Sequence, residues 1–144
     1  MKKITDNILF DYSDFQIKPY HFVKKNWGAE FWITNSQLYC MKILLIERDK
    51  MCSIHYHNEK DETFHIVDGY VCIELWNNIN KPYFDENKPD NRMLFWPGSS
   101  IHIPPKIPHR FLGKKPSSII EVSTHHKDDD SIRLVNSPFY GDIK

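Results

Sequence analysis

Short apolar runs alternate with polar residues along most of this chain. Nine segments are rich in Ile, Val, Phe, Tyr and Trp, and turn-forming residues bound most of them. Such segments are typical of β-strands, in which successive side chains point to opposite faces. The predicted strands are residues 31–34, 38–47, 53–57, 63–67, 70–76, 92–96, 100–103, 109–112 and 118–124.

No long stretch has the 3.6-residue period and end caps of a helix, although residues 2–15 are compatible with one short helix. Many short strands at this spacing predict an all-β sandwich or barrel. Residues 77–91 form the longest interruption, which is polar and holds two prolines. We expect a surface loop between two β halves there, with a lid or a dimer contact as the alternative.

Composition narrows the class of protein. The 144 residues suit one domain, 1–144, with residues 1–20 as an N-terminal arm. Lysine plus arginine and aspartate plus glutamate number 19 each, which argues against a nucleic-acid partner. No apolar run is long enough to span a membrane, and the first residues lack the apolar stretch of a signal peptide. Three cysteines without C-x-x-C spacing argue against a disulfide framework and fit a cytoplasmic location.

Residues 53–69, SIHYHNEKDETFHIVDG, carry the first candidate chemistry. On a strand, His55 and His57 share a face. We expect the next strand to return beside the first as a hairpin that brings Glu62 to the two imidazoles, and Asp68-Gly69 to form a tight turn. Two imidazoles and a carboxylate suit a divalent transition ion, although a solvated turn has the same composition.

A second stretch, residues 97–111, reads PGSSIHIPPKIPHRF. A Pro-Gly turn leads into a short apolar strand, a proline-stiffened loop and then His109. That histidine is placed to supply a fourth ligand from a neighbouring strand. Phe64 and Phe111 are expected to flank the site and exclude water.

These two stretches resemble the two motifs of the cupin superfamily. The first motif is matched by His55, His57, Glu62 and Gly69, and the second by Gly98, Pro104 and His109, with Ser99 in place of the usual aspartate. The resemblance implies a small single-domain antiparallel β-barrel, or jelly roll, holding one divalent ion. Manganese and zinc are the first expectations for that ion, and iron, nickel and cobalt are alternatives.

A narrower resemblance points to sugar isomerases. NWGAE at 26–30 and the tail at 120–141 are similar to type II mannose-6-phosphate isomerase domains, which usually have glutamine at position 55 and arginine at position 60. The ligand stretch resembles that of D-lyxose isomerases more closely, because His55, His57, Lys60 and Glu62 match their motif His-x-His-x-x-Lys-x-Glu. Those isomerases usually have longer chains and a glutamate on a late strand, for which Glu121 is the candidate.

The resemblance implies a metal-dependent aldose–ketose isomerase acting on a free or phosphorylated aldose. Lys60 and Glu121 would be its catalytic pair, with Lys60 as acid or base if its pKa is lowered. Arg110 and Arg133 would hold a phosphate or a sugar hydroxyl, with an ion pair to a surface carboxylate as the alternative for each. A homodimer is expected, with arm 1–20 exchanged across it. A non-catalytic carbohydrate-binding cupin and another cupin metalloenzyme (oxygenase, lyase or epimerase) are the alternatives. His125 and His126 are expected to form a solvated loop, and residues 128–130 a charged surface rather than a site.

Overall fold

The computed structural model describes residues 2–5, 8–11, 21–77 and 85–135. These residues form thirteen strands and a single turn of 3₁₀ helix, Asp128–Asp130. The strands are β1 Lys2–Thr5, β2 Ile8–Asp11, β3 His21–Lys25, β4 Gly28–Asn35, β5 Cys40–Ile46, β6 Ile54–His57, β7 Glu62–Asp68, β8 Val71–Leu75, β9 Asn91–Phe95, β10 Ser100–Ile103, β11 His109–Gly113, β12 Ser117–Ser123 and β13 Ser131–Val135. None of the described segments is a helix long and apolar enough to cross a membrane.

The strands form two large antiparallel sheets and one small one. The six-stranded sheet has the order β10-β7-β12-β5-β4-β3, and the five-stranded sheet has the order β13-β6-β11-β8-β9. β1 and β2 pair with each other. The two large sheets share one apolar core, built from Leu44, Ile46, Phe64, Ile66 and Ile119 on one side and Val71, Ile73 and Phe111 on the other. The strand pattern predicted an all-β sandwich or barrel, and the fold is the small antiparallel β-barrel that the cupin resemblance implied.

Strand register divides the interior into an apolar part and a polar part. On β12, Ile119 and Glu121 both point inward, because alternate residues of a strand share a face. Glu121 lies opposite Lys42 of β5 on one side and Phe64 of β7 on the other. Ser123 lies opposite Glu62. The charged residues that face the interior therefore gather at one end of the barrel, while the aliphatic residues fill the other.

All nine predicted strands are present, although two strands were missed and the predictions for residues 2–15 and 77–91 are wrong. Residues 2–15 include strands β1 and β2 rather than a helix, and β3 and β13 were not predicted. The loop over residues 77–91 joins β8 to β9, which are neighbours in one sheet, so it does not separate two β halves. Residues 78–84 of that loop lie outside the described residues. So do most of residues 1–20, and their predicted exchange across a dimer stays a prediction.

The chain changes sheets where hairpins were expected. β6 belongs to the five-stranded sheet and β7 to the six-stranded sheet, so they do not pair as a hairpin. β7 and β8 are separated in the same way, with Gly69 at the crossing. Gly69 has a φ of 91°, and a Cβ there would lie 2.4 Å from the Pro116 carbonyl oxygen, so glycine is required. The Asp-Gly pair fixed a sharp turn, but a turn does not determine which sheet the next strand joins.

Candidate active site

Three histidines and one glutamate meet inside the barrel. His55 and His57 lie on β6, and His109 of β11 is the direct cross-strand partner of His55. One ring nitrogen from each histidine lies within 4.8 Å of the others. Glu62 begins β7 on the opposite sheet, and its Oε1 lies 3.0 Å from His109 Nε2 and 3.7 Å from His57 Nε2. The glutamate thus reaches the imidazoles across the barrel rather than along a hairpin.

Backbone carbonyls orient two of these rings. The Nδ1 atoms of His55 and His109 lie 2.8 Å from the Ser53 oxygen and 2.9 Å from the Ile107 oxygen. A carbonyl only accepts hydrogen bonds, so each Nδ1 carries the hydrogen and donates it. In a neutral ring the lone pair is then on Nε2, as in metal-ligating histidines. Burial lowers the pKa of His55 well below its usual value and that of His57 to about 4, which favours neutral rings.

The donor set fits a divalent cation. His109 Nε2 and Glu62 Oε1 are buried and 3.0 Å apart, yet neither has a hydrogen-bond partner among the described residues. A lone pair on Nε2 and a carboxylate oxygen repel each other unless a positive charge lies between them. Burial raises the pKa of the Glu62 carboxyl, but the charged and polar groups around it, including the Lys60 ammonium, outweigh burial and hold that pKa well below the usual range. Three imidazoles and a carboxylate are ligands suited to zinc, manganese or iron.

An ammonium group joins this cluster to a second carboxylate. Lys60 Nζ lies 2.7 Å from Glu62 Oε2 and also donates a hydrogen bond to Glu121 Oε1. All three side chains are buried. Burial lowers the pKa of Lys60, but the two carboxylates outweigh it and raise the pKa above its usual value. These contacts within the chain act opposite to the expected lowering of the pKa, and they favour the charged form of Lys60.

Asp130 holds the turn that carries Lys60. Its carboxylate accepts hydrogen bonds from the backbone N–H groups of Asn58, Glu59 and Lys60, each at 3.0 Å. Its Oδ2 also lies 3.8 Å from His57 Nδ1. Asp130 is buried, so the prediction that residues 128–130 form only a charged surface is wrong for Asp130. A buried carboxylate that binds three N–H groups fixes the local backbone.

The cluster lies at the base of a cavity of about 390 Å³. Phe64 and Phe111 both line it and are buried, as the sequence predicted. The Phe64 ring centroid lies 6.0 Å from that of His109, and Phe111 packs edge-on against Trp27 at 4.8 Å. These rings shield the base of the cavity from water.

The two arginines proposed for substrate binding lie in different places. Arg133 is opposite His55 on β13, lines the cavity and is exposed at its mouth. Arg110 does not line the cavity: its guanidinium binds Glu74 and lies 5.6 Å from the centre of the Trp76 ring. The assignment of Arg110 to the substrate site is therefore wrong. Arg110 follows the inward-facing His109 on the same strand, so strand alternation turns it to the outer face.

Sequence reasoning missed several residues of the cavity wall, among them Glu30, Trp32, Lys42 and His126. Lys42 could have been found from the sequence, because it occupies the inward-facing position between Cys40 and Leu44 on an apolar strand. No sequence feature pointed to His126, because its loop contacts the barrel through residues that are far away in sequence. Its backbone N–H donates to Asn35 Oδ1 at 2.9 Å, and its ring packs against Trp32 at 4.7 Å. The expectation that His125 and His126 form a solvated loop is therefore wrong for His126.

A two-sheet antiparallel barrel with three histidines and a glutamate converging inside it defines a cupin. The profile of the D-lyxose isomerase family matches residues 6–138, and the chain belongs to that family. The resemblance drawn from the two sequence motifs is thereby confirmed. A search of curated proteins gives no significant match.

Solved cupin structures share the fold at low sequence identity. KdgF from Halomonas sp. is 16% identical with a TM-score of 0.61, over 78% of this chain and 90% of that one. Pac13 from Streptomyces is 11% identical with a TM-score of 0.64, over 83% and 92%. CapF from Staphylococcus aureus is 17% identical with a TM-score of 0.64, over 87% of this chain but only 34% of CapF. Pac13 is described as a nucleoside dehydratase, so one fold carries different chemistries and these likenesses bear on the fold alone.

Proposed function

We propose that this protein is a metal-dependent isomerase that interconverts a free aldose and its ketose, of the D-lyxose or D-mannose type. The observation that carries the proposal is the buried Glu62–Lys60–Glu121 chain of contacts at the base of the cavity. It joins the carboxylate of Glu62, a candidate metal ligand, to the ammonium of Lys60, a potential acid. Lys60 in turn contacts Glu121, a carboxylate that is not one of the candidate ligands. Family membership supports sugar isomerisation independently.

His55, His57, Glu62 and His109 would hold the divalent ion, with manganese or zinc as the first candidates. When bound, the ion would act as a Lewis acid that stabilises negative charge on the sugar oxygens. Burial among the core side chains would strengthen this effect by excluding water.

Glu121 and Lys60 divide the proton chemistry between them. Glu121 takes the proton from C2 of the aldose and returns it to C1, and one proton moves from O2 to O1 in the same conversion. Lys60 is charged and donates a hydrogen bond to the oxygen that becomes negative between these steps. Its bonds to two carboxylates fix its position before substrate arrives, which lowers the reorganisation that the reaction requires.

The charges of the cavity favour an unphosphorylated sugar. Lys25 and Lys42 lie 3.4 Å and 3.9 Å from the two oxygens of Glu30, and Lys60 is paired with Glu62. A phosphate-binding site instead needs cationic groups that are not already balanced by carboxylates. Arg133 at the mouth is the one lining cation for which the described residues provide no ion pair. A 6-phosphorylated aldose would therefore depend on Arg133 alone.

Isomerisation in deuterated water tests the proposal. The metal is removed with a chelator, and Mn, Zn, Ni, Co or Fe is restored singly. Each form is given free and 6-phosphorylated aldoses, and NMR follows conversion and deuterium entry at C1 or C2. We expect metal-restored turnover of a free aldose. No turnover of any sugar by the metal-loaded protein would refute the isomerase and favour a binding protein or another metalloenzyme.

Two matched variants test the assigned roles. Glu121→Gln keeps the shape of the side chain but removes the base, so kcat should fall by about 100-fold or more. Its metal content, measured by elemental analysis, should match that of the unmodified protein. Glu47→Gln makes the same change at an exposed position outside the cavity and should leave kcat unchanged. Equal kcat values for the two variants would rule out Glu121 as the base.

A further inference from the structure

Lys42 is a buried ammonium in the cavity wall for which the proposed chemistry has no use. Its side chain is only 3% exposed, although its inward-facing neighbours on β5, Cys40 and Leu44, are apolar. It touches none of the four candidate metal ligands. Burying a lysine costs free energy unless its charge and its N–H groups are satisfied.

The neighbours of Lys42 balance its positive charge, but they leave part of its hydrogen-bonding capacity unused. Nζ lies 3.2 Å from His126 Nδ1, which is a hydrogen-bond distance. The nearest oxygens of Glu121 and Glu30 are 3.8 Å and 3.9 Å away, too far for hydrogen bonds. The face of Trp32 lies 4.0 Å away and adds a cation–π contact. An ammonium has three N–H groups, so two of them have no acceptor among the described residues.

The neighbours of Lys42 have the chemistry of a sugar-binding surface. Trp32 offers an indole face for C–H groups, and its Nε1 fixes Glu30 by a 3.0 Å hydrogen bond. Glu30 supplies acceptor oxygens, and Lys42 supplies donors. A sugar hydroxyl both donates and accepts, so it can bridge an ammonium and a carboxylate that are too far apart to bond directly. The gap of almost 4 Å between Lys42 and Glu30 fits such a bridge.

The position of this cluster also fits the far end of a sugar. Contacts between charged groups run outward from Glu62, which is 2% exposed, through Lys60, Glu121, Lys42 and Glu30 to Lys25, which is 31% exposed. The reacting end of the sugar would lie at the buried end of this series. Its remaining carbons would then extend toward Lys42.

We propose that Lys42, Glu30, Trp32 and His126 form a subsite for the hydroxyl groups of the sugar carbons beyond C3, and that Lys42 is its specificity-determining residue. This inference rests on the proposed isomerase function. The subsite binds a neutral polyhydroxyl chain. It distinguishes aldoses that carry hydroxyls within reach of Lys42 from shorter ones that do not.

Kinetics with sugars of different length test the subsite. Lys42→Gln should lower kcat/KM for aldopentoses by about 10- to 100-fold, the value of one or two charged hydrogen bonds, mainly through KM. Glyceraldehyde, which has no carbon beyond C3, should lose less than about 3-fold by the same scale. Lys114→Gln removes an exposed lysine outside the cavity and should match the unmodified protein on both sugars. Equal losses on the pentose and on glyceraldehyde would overturn the subsite.

Calorimetry with a pentitol separates this inference from the isomerase proposal, because a sugar alcohol has hydroxyls but no carbonyl to react. Pentitol binding that is lost in Lys42→Gln and kept in Lys114→Gln supports the subsite even if the protein isomerises no sugar. Absent or unchanged binding overturns it. If Lys42→Gln does not fold, Trp32→Leu replaces it, with a loss of pentitol affinity expected and retained affinity counting against the subsite.

Discussion

Replacing Asp130 tests how the active-site turn is held. Its carboxylate accepts three backbone hydrogen bonds, one of them from the buried N–H of Lys60. In Asp130→Ala this buried donor loses its acceptor, which costs about 2 kcal/mol. The N–H groups of Asn58 and Glu59 are partly accessible to water, so together they add about 1–2 kcal/mol. We expect a total loss of about 3–4 kcal/mol in the free energy of unfolding.

Urea unfolding followed by tryptophan fluorescence measures this loss, and a thermal scan should show a fall of about 10–15 °C in Tm for a chain of this size. The matched control is Asp129→Ala, which removes an exposed carboxylate from the same 3₁₀ turn and should change stability by less than about 0.5 kcal/mol. The two variants differ in burial and in hydrogen bonding, while the residue type and the location are shared. A difference below about 1 kcal/mol between them would refute the structural role of Asp130.

The same variant should also affect catalysis, because the turn carries Lys60. At a temperature where Asp130→Ala is still folded, we expect kcat to fall by about 10-fold or more through misplacement of the ammonium. Bound metal should change little, since none of the four candidate ligands is removed. Unchanged kcat in the folded variant would mean that Lys60 is positioned by Glu62 and Glu121 alone.

Three further predictions concern the metal site and the core. Removing the metal with a chelator should lower Tm. Restoring the ion at about 100 times its Kd should raise the free energy of unfolding by about 2.7 kcal/mol. Calorimetry should find no such stabilisation in His109→Ala. Stability of the chelated protein, measured by urea unfolding at stepped pH, should fall between pH 6.5 and about 4. Burial lowers the pKa of His57 to about 4 in the folded protein, so the imidazole is protonated at higher pH in the unfolded chain than in the folded one. Constant stability between pH 6.5 and about 4 would contradict the assignment of His57 as a buried, neutral histidine. Ile66→Ala, at a fully buried position, should cost about 2–5 kcal/mol in the same assay, and a cost below 1 kcal/mol would place Ile66 outside the core.

The strands were readable from the sequence because the signal is local. A strand that buries one face alternates apolar and polar residues, and turn residues mark its ends. β3 and β13 were missed because they lie at sheet edges, where most of their residues stay partly or fully exposed and the alternation is weak. The same alternation placed His55 and His57 on one face and, applied to β11, would have turned Arg110 away from the site.

The arrangement of the charged site was only partly predictable. The four candidate metal ligands came from a family motif with fixed spacing, and the structure brings them together. The contact between Lys60 and Glu121 joins residues 61 positions apart, and that between Asp130 and the Lys60 N–H joins residues 70 apart. Nothing in either local segment specifies the other. The resemblance supplied the first pair, and no sequence feature supplied the second.

Alternation along each predicted strand indicates which of its side chains face the interior, and the two motifs indicate which residues are suited to bind a metal. Packing of the two sheets sets which of these side chains meet. Glu62 approaches the histidines from the opposite sheet, Lys42 enters the cavity wall and Asp130 fixes the turn through contacts between distant segments. Alternation is set by the geometry of one strand, whereas these contacts depend on how two sheets pack and where the chain crosses between them.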